Sequence, residues 1–526
     1  MYYNLRMNLR AKLGFIIFFI SFTGFAQVLL EPDYFIASPP SPVGSGARAM
    51  GVGGAFIAVA DDGTAASWNP AALIQLELPE ASMVFSYDVR SIDKQKVDFN
   101  DVNYLSASHP FTIGNTNMIF SFNYQRLYDF YASGTFPASG VSISDQSAEF
   151  LIWGDGPSDP PEATDYDLLT GTQMSYDAIY DLTKSQEGDV GAVAPAFAIQ
   201  ITPSLSLGIS YNFWSDAWLG QRYSQEYDEN GDGTGQIEQV IWWDTNGDCT
   251  CNGGGPCDTN DPIDDPSCID MIVPPELVGG TNPTPSETFD FHTILQTRQR
   301  MEMSGQNYNL GILWDINSRW TLGAVYRAGF KMDVKRFYSF YREATSESDP
   351  SKNQSPVQGT FKYDESITFP SSYGIGVGYR YSDALSFTSD LTMVRWDEYY
   401  YQLADGTKYS PITGLAKGID DVEPTLTFRA GGEYLLIKPK FVVPIRAGFF
   451  YDQEPAREKP DDYYGITLGS GIAYKGLVVD FTYFYRFAQD VTIASVATVD
   501  HQELIREEKG DVEQHMAMLS FIFHLE

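Results

Sequence analysis

The chain has 526 residues, with 69 Asp and Glu against 34 Lys and Arg and a formal net charge of −35. So acidic a protein repels a polyanion, which excludes nucleic acid as a partner. Its 33 Tyr, 34 Phe and 9 Trp, with 46 Gly and a mean hydropathy of −0.22, suit a wall in which apolar and polar residues alternate.

The N-terminus predicts export. Arg6, Arg10 and Lys12 form a basic start, Leu13 to Phe25 is a short apolar run, and Gly24 and Ala26 place small residues just before Gln27. This is the pattern of a secretory signal peptide over residues 1–26, too short to span comfortably as a helix. No cysteine lies near the cleavage site, so a lipid anchor is not expected. No apolar run of 18 residues follows, so helical spans are not expected in the mature chain.

Residues 27–80 do not alternate. Gly44 to Ala55 is rich in Gly and Ala, and Trp68-Asn69-Pro70-Ala71 follows Asp61-Asp62-Gly63. The glycines do not sit in a strand–turn–helix unit, so a nucleotide loop is not indicated. Small residues instead suit close packing, as in a plug held inside a barrel. Asn69-Pro70 is a turn pair, since Pro fixes φ and Asn caps turns.

From residue 81 onward the sequence reads as strand after strand. Leu205, Leu207, Ile209, Tyr211 and Phe213 share one face, with Ser206, Gly208, Ser210 and Asn212 on the other. Trp320, Leu322, Ala324, Tyr326, Ala328, Phe330 and Met332 form a second apolar face, opposite Thr321, Gly323, Arg327 and Lys331. Val479 to Phe487 repeats the pattern, with Asp480, Thr482 and Arg486 on its polar side. Fourteen strands are predicted, near 81–90, 102–110, 117–130, 191–200, 204–215, 297–315, 320–334, 359–381, 385–396, 423–436, 441–452, 463–474, 477–487 and 513–525. Every second connection is short, at 110–116, 202–203, 317–319, 382–383, 438–440 and 475–476. Short turns at one end and long loops at the other mark an outer-membrane barrel, which must close because a bare strand edge cannot lie in lipid. The expected fold is therefore all-β: a 14-stranded antiparallel transmembrane β-barrel over 81–526, plugged by 27–80, with long extracellular loops near 131–190 and 216–296.

Between Asp216 and Asp290 there are 16 acidic residues and a single Arg222. Asp228, Asn230 and Asp232 stand at alternate positions before a glycine, and Asp244, Asn246 and Asp248 repeat the spacing. Oxygen ligands so spaced on a tight turn converge on one hard cation, which makes a structural Ca²⁺ in this loop an expectation; the terminal bidentate Glu of an EF-hand is replaced by Gln239. Tandem runs of this kind resemble thrombospondin type 3 or dockerin-like calcium segments. Cys249, Cys251, Cys257 and Cys268 lie within 20 residues, so an exported chain is expected to form one or two local disulfides, with three pairings open. The five histidines are scattered, and neither a Gly-x-Ser-x-Gly elbow nor a His-Glu-x-x-His motif occurs, so no enzyme is indicated and no cofactor is required.

Three stretches carry a family resemblance. They are Gly46 to Leu73 with Trp68-Asn69-Pro70-Ala71; Phe369 to Arg380 with Ser389-Asp390 and Arg395-Trp396; and Arg446 to Asp452 with Pro455 and Asp480 to Tyr485. Together they resemble the FadL/TodX family of outer-membrane transporters for hydrophobic compounds. Residues 131–190 and 216–296 match nothing in that pattern. The resemblance implies a bacterial outer-membrane monomer, surrounded by lipid, for passive uptake of long-chain fatty acids or aromatic hydrocarbons. The ligand would land in an apolar outer groove, enter a lumenal pocket and leave sideways after a hatch shift. Lumen-facing Arg327, Lys331, Arg446 and Arg486 are candidates to meet a carboxylate head group, or else to pair with acids such as Asp390 and Asp480. In the family the side opening comes from a kink in the third strand, here Asn117–Phe130, which holds no Gly or Pro. A FadL-like barrel serving protein traffic, similar to the PorV shuttle of type IX secretion, or a structural or adhesive barrel, would share the hatch motif.

Overall fold

Fourteen strands close into a ring, each hydrogen-bonded antiparallel to the next, in a computed structural model that describes residues 44–525 apart from 93–94, 131, 149–166, 220–221, 245–286, 351–352, 420–421 and 499–503. The wall strands of the N-terminal half are β1 (Glu80–Ile92), β2 (Gln95–Ile113), β3 (Thr116–Asp129), β6 (Asp189–Thr202), β7 (Leu205–Ser215), β9 (Glu287–Asp315) and β10 (Trp320–Arg327). Those of the C-terminal half are β13 (Ser372–Ser382), β14 (Leu385–Val394), β17 (Thr425–Ile437), β18 (Val442–Glu454), β19 (Asp461–Tyr474), β20 (Leu477–Thr498) and β21 (Leu504–His524). β1 pairs with β21 from Glu80↔His524 to Ile92↔Val512, which closes the barrel. A wall strand falls within or across each of the fourteen expected spans, and the short connections fall at one end, where Leu525 N–H also donates to Pro79 C=O at 2.7 Å. The signal segment and residues 27–43 of the expected plug lie outside the described residues.

The alternation read from the sequence sets which way each side chain points. On β7, Leu207, Ile209, Tyr211 and Phe213 face outward to lipid while Ser206, Ser210 and Asn212 are buried inside. On β20, Phe481, Tyr483 and Phe487 face out, and Asp480, Thr482 and Arg486 face in. A strand period of two allows no other outcome once one face meets hydrocarbon.

Seven further strands stand above the ring: β4 (Ala132–Ala148), β5 (Asp167–Glu187), β8 (Ser224–Asp244), β11 (Phe330–Thr345), β12 (Gln354–Phe369), β15 (Tyr400–Gln402) and β16 (Lys408–Tyr409). They pair in the order β4, β5, β8, upper β9, β11, β12, β15, β16, forming a crown on one side of the mouth. The expected loops near 131–190 and 216–296 are thus, where described, extended strands rather than irregular loops. The reason is β9: its 29 residues run well past the membrane and offer both edges to neighbours.

One expectation fails in an informative way. The face Trp320 to Met332 is not continuous. From Asn309 to Gly305 β9 takes four steps, while its partner takes five from Arg327 to Met332. The extra residue is a bulge at Ala328-Gly329, and a one-residue slip exchanges the faces. The other arm breaks at the same level, so the single strand expected at 359–381 is two, β12 and β13, separated at Pro370-Ser371. Below the bulge Trp320 and Leu322 face lipid; above it Phe330 and Met332 are buried in the lumen and Lys331 points outward. Lys331 is therefore not the lumenal cation that simple alternation predicts.

Candidate functional site: hatch and mouth

The described part of the plug runs from Gly44 and fills the lower lumen. It carries α1 (Ala47–Gly51), α2 (Ala65–Trp68) and a 3₁₀ turn (Pro70–Gln75). Small residues on both sides make it fit. A Cβ on Gly208 or Gly311 of the wall would lie within 2.2 Å of the Ala71 nitrogen or 2.0 Å of the Asn69 side-chain oxygen. Gly431 and Gly448 give the same clearance to Val52 and Gly53 on the opposite side. No side chain fits there, because real Cβ atoms do not approach so closely.

The predicted Trp68-Asn69-Pro70-Ala71 motif is the latch of this plug. Asn69 is wholly buried. Its amide donates to Ile57 C=O at 2.9 Å within the hatch and to Ile312 C=O at 3.0 Å on the wall. Its side-chain oxygen accepts from Ala71 N–H at 3.1 Å and caps the 3₁₀ turn that Pro70 starts. Trp68 donates to Ser45 C=O at 2.8 Å. Asp390 of β14, expected as an ion-pair partner for a lumenal arginine, instead accepts from Phe56 N–H at 2.6 Å and Ile57 N–H at 2.9 Å.

Three of the four cations singled out in the sequence do face inward. Arg327 donates to Trp68 C=O at 2.9 Å and so belongs to the latch. Arg446 is buried between Glu433 and Asp480, at 2.6 Å from each, and Glu433 also receives Arg48 of the hatch at 3.3 Å. Arg486 reaches Glu454 at 2.6 Å and lies 3.9 Å over the Tyr463 ring. Arg429, missed in the sequence, pairs with Asp452 at 3.0 Å and touches the Gly53 carbonyl. Arg429 and Arg486 line an open space, a cavity of about 80 Å³ above the hatch, between Gly44, Met50, Trp396, Phe484 and Met516. Ligand pockets for drug-sized molecules are several times larger, so this cavity as it stands does not hold one.

Above the cavity the lumen turns aromatic. Trp214 stacks on Phe330 with centroids 5.5 Å apart and Phe330 on Phe369 at 5.1 Å, while Tyr128 meets Phe369 tilted at 4.9 Å. Met301, Met303, Met332, Ile367, Trp396 and Tyr399 enclose them. The sequence pointed to Phe369 and Trp396 through the resemblance, but placed Phe330 and Met332 on the lipid side. Only the doubled break at 328–329 and 370–371 brings them together, and the sole sequence signals for it are Gly329 and Pro370.

The third strand is distorted although it contains no Gly or Pro. The β2–β3 ladder runs from Ile113↔Thr116 to Tyr104↔Gln125 and stops, while both strands continue. Register with β6 slips between Arg126 and Tyr128. Asn123, Tyr124, Gln125 and Arg126 are buried in succession, so alternation is lost there. An ion pair between Arg126 and Asp101 at 2.9 Å spans the separation, with Arg90 and Arg126 both over the Phe99 ring at 5.3 and 5.5 Å.

The predicted calcium turn is not formed at its first copy. Asp228, Asn230 and Asp232 lie in β8 in unbroken register with both β5 and β9, so the chain is extended there, not turned. Two ladders of backbone hydrogen bonds outweigh the local turn preference. Asp232 instead meets His292 Nδ1 at 2.7 Å. Asp244 ends β8, while Asn246, Asp248 and the four cysteines lie outside the described residues. Among the described residues no group of three His, Cys, Asp or Glu is placed to hold a metal.

A closed fourteen-strand barrel, filled by a latched plug and capped by aromatic rings, defines a plugged outer-membrane channel. The family model for outer membrane protein transport proteins (OMPP1/FadL/TodX) matches residues 40–523, and the chain belongs to this family of passive outer-membrane channels, which are not enzymes. Among solved structures, a FadL homologue of Pseudomonas aeruginosa is 14% identical over 94% of this chain and 100% of that one, with a TM-score of 0.49. The CymD monoaromatic hydrocarbon channel is 15% identical over 93% and 99%, with a TM-score of 0.47. The toluene transporter TbuX of Ralstonia pickettii is 13% identical over 92% and 99%, at 0.42. No curated protein matches the sequence.

Proposed function

We propose that the barrel carries small uncharged hydrophobic compounds, of the aromatic hydrocarbon class rather than fatty acids, passively across the outer membrane. One observation carries the reading: the mouth is walled by the packed rings of Tyr128, Trp214, Phe330 and Phe369, while Arg446, Arg429 and Arg486 below them are each bound to acids. A carboxylate would have to displace an acid from a buried pair at these three, or the Trp68 carbonyl from Arg327, which is costly. A ring needs only to exchange one aromatic contact for another, gaining about 0.8 kcal/mol for each CH₂-sized unit taken from water. We assign the exit to the separated stretch of β2 and β3 above Tyr104, where no ladder bonds hold the wall. Uptake of labelled toluene and of labelled oleate by a deletion strain, with and without the restored gene, tests this. Restoration is expected to raise toluene entry alone, and Phe330→Asp to cut it more than about tenfold, since a buried charge in an apolar site costs well over about 1.4 kcal/mol. Restored oleate entry with unchanged toluene entry would sink the proposal.

A further inference from the structure

The break that turns Phe330 inward turns a row of cations outward, and their height on the barrel gives them a partner. On β9 the lipid-facing residues are Trp314, Ile312, Leu310 and Tyr308, followed outward by Gln306, Ser304, Glu302, Arg300 and Arg298. Strands rise about 3.3 Å per residue and tilt about 45°, so an apolar band of about 25 Å ends near Ser304. Lys331 stands one residue from the pair Met332↔Gly305, Lys335 pairs with Glu302, and Phe337 pairs with both Arg300 and Lys362. These side chains therefore lie at the upper edge of the hydrocarbon and in the head-group layer above it.

Their share of bases is higher than the chain leads one to expect. Acids outnumber bases two to one overall, 69 to 34. On this outward face the bases are Arg222, Arg298, Arg300, Lys331, Lys335 and Lys362, against the acids Glu187, Glu226, Asp228, Glu302, Asp333 and Asp364. The arginines share two of those acids, with Arg222 and Arg300 both 3.3 Å from Glu302 and Arg298 3.4 Å from Glu226. Among the described residues Lys331, Lys335 and Lys362 form no ion pair. Arg300 and Lys362 instead flank the Phe337 ring at 4.7 and 5.6 Å. Directly below, Tyr308, Tyr326 and Tyr373 contact one another on the lipid side, at 6.4 and 5.1 Å between centroids. On the opposite wall the outer rim is acidic, with Asp98, Asp462 and Glu513 holding the hydroxyls of Tyr87, Tyr451 and Tyr485.

We propose that this face binds a phosphorylated glycolipid of the outer leaflet, with Lys331, Lys335 and Lys362 meeting its phosphates and the tyrosine trio lying along its acyl chains. Charge complementarity selects the head group, because an anionic lipid is attracted here and repelled by the acidic wall. The level of the cations selects a lipid over a soluble anion, since Lys331 sits where acyl chains end. The whole chain, purified and placed in nanodiscs, is titrated with bisphosphorylated lipid A and with its dephosphorylated form. Lipid A is expected to bind and the dephosphorylated form not to. Replacing all three lysines by alanine is expected to weaken binding roughly 100-fold, at about fivefold for each cation near a lipid surface. Heat-modifiable gel mobility confirms that the variant barrel is folded, and the single Lys335→Glu, on an exposed site, serves should the triple variant misfold. The proposal is overturned if both lipids bind equally, if the lysine variants bind lipid A as the natural chain does, or if inorganic phosphate at equal concentration displaces the lipid.

Discussion

Below and above Ala328 the same hairpin builds two different interiors. In the lower zone the lumen face is small and polar, as at Gly323, Gly376, Asp390 and Ser372, and it grips the backbone of the hatch. In the upper zone the lumen face is Phe330, Met332, Ile367 and Phe369, and it grips only other rings. Outside, the order is inverted: apolar below, where lipid tails lie, and charged above. Neither zone is unusual as a β-sheet. The difference comes from one extra residue on one arm and a matching break on the other, which is the smallest change that can reverse a period-two pattern. A barrel wall can thus change from a plug socket to an aromatic mouth without changing its strands.

Removing the bulge should break that comparison with the largest effect. Deleting Ala328 restores one alternation through β10 and β11, turns Phe330 and Met332 outward and costs on the order of 3–5 kcal/mol for the lost aromatic alone. The fluorescence of Trp214, now stacked on Phe330, should change and hydrocarbon uptake should fall; an unaltered spectrum would show that the bulge does not set the mouth.

In the lower zone, Arg446→Ala leaves Glu433 and Asp480 facing each other in a buried site. About 3–5 kcal/mol of stability should be lost, seen as a lower unfolding midpoint in urea. The aromatic mouth should be spared, so Trp214 fluorescence is expected to stay as it is before the transition. Asn69→Ala removes the cap of the 3₁₀ turn and leaves Ile57 and Ile312 carbonyls without that donor. A loss of about 1–3 kcal/mol and faster proteolysis within the hatch should follow, while a hatch as resistant as before would deny Asn69 its latch role.

The smallest effect is at the crown. Asp290 accepts hydrogen bonds from Ser348 Oγ and N–H, at 2.6 and 2.8 Å, and from Ser346 Oγ at 2.9 Å, which pull its carboxyl down to about 2. Because the folded value is depressed, the staple it makes to the β11–β12 turn is fully present above about pH 4 and is lost as pH falls toward 2. Protection of the Ser348 amide, taken relative to its intrinsic exchange rate at each pH, should therefore fall over that range in the natural chain. In Asp290→Asn protection relative to the intrinsic rate should be low and flat with pH; identical profiles would remove Asp290 from this role.

The sequence alone determined the export signal's pattern, the number of strands, the end that bears short turns, and the face of Leu205–Phe213 and Val479–Phe487. These follow from local rules: a period of two, and the need to show hydrocarbon to lipid. The hatch was legible as small residues and a turn motif, though not the wall glycines that receive it, because their partners lie far away in the chain. Tertiary structure alone decided the rest. Whether Phe330 faces lipid or lumen depends on the count of residues between two paired strands, and a count of pairs exists only once β9 is in place. Whether Asp228–Asp232 turns or extends likewise depends on β5 and β9, which supply the hydrogen bonds on both sides. Alternation names the two faces of a strand, and only its neighbours decide which face is inside.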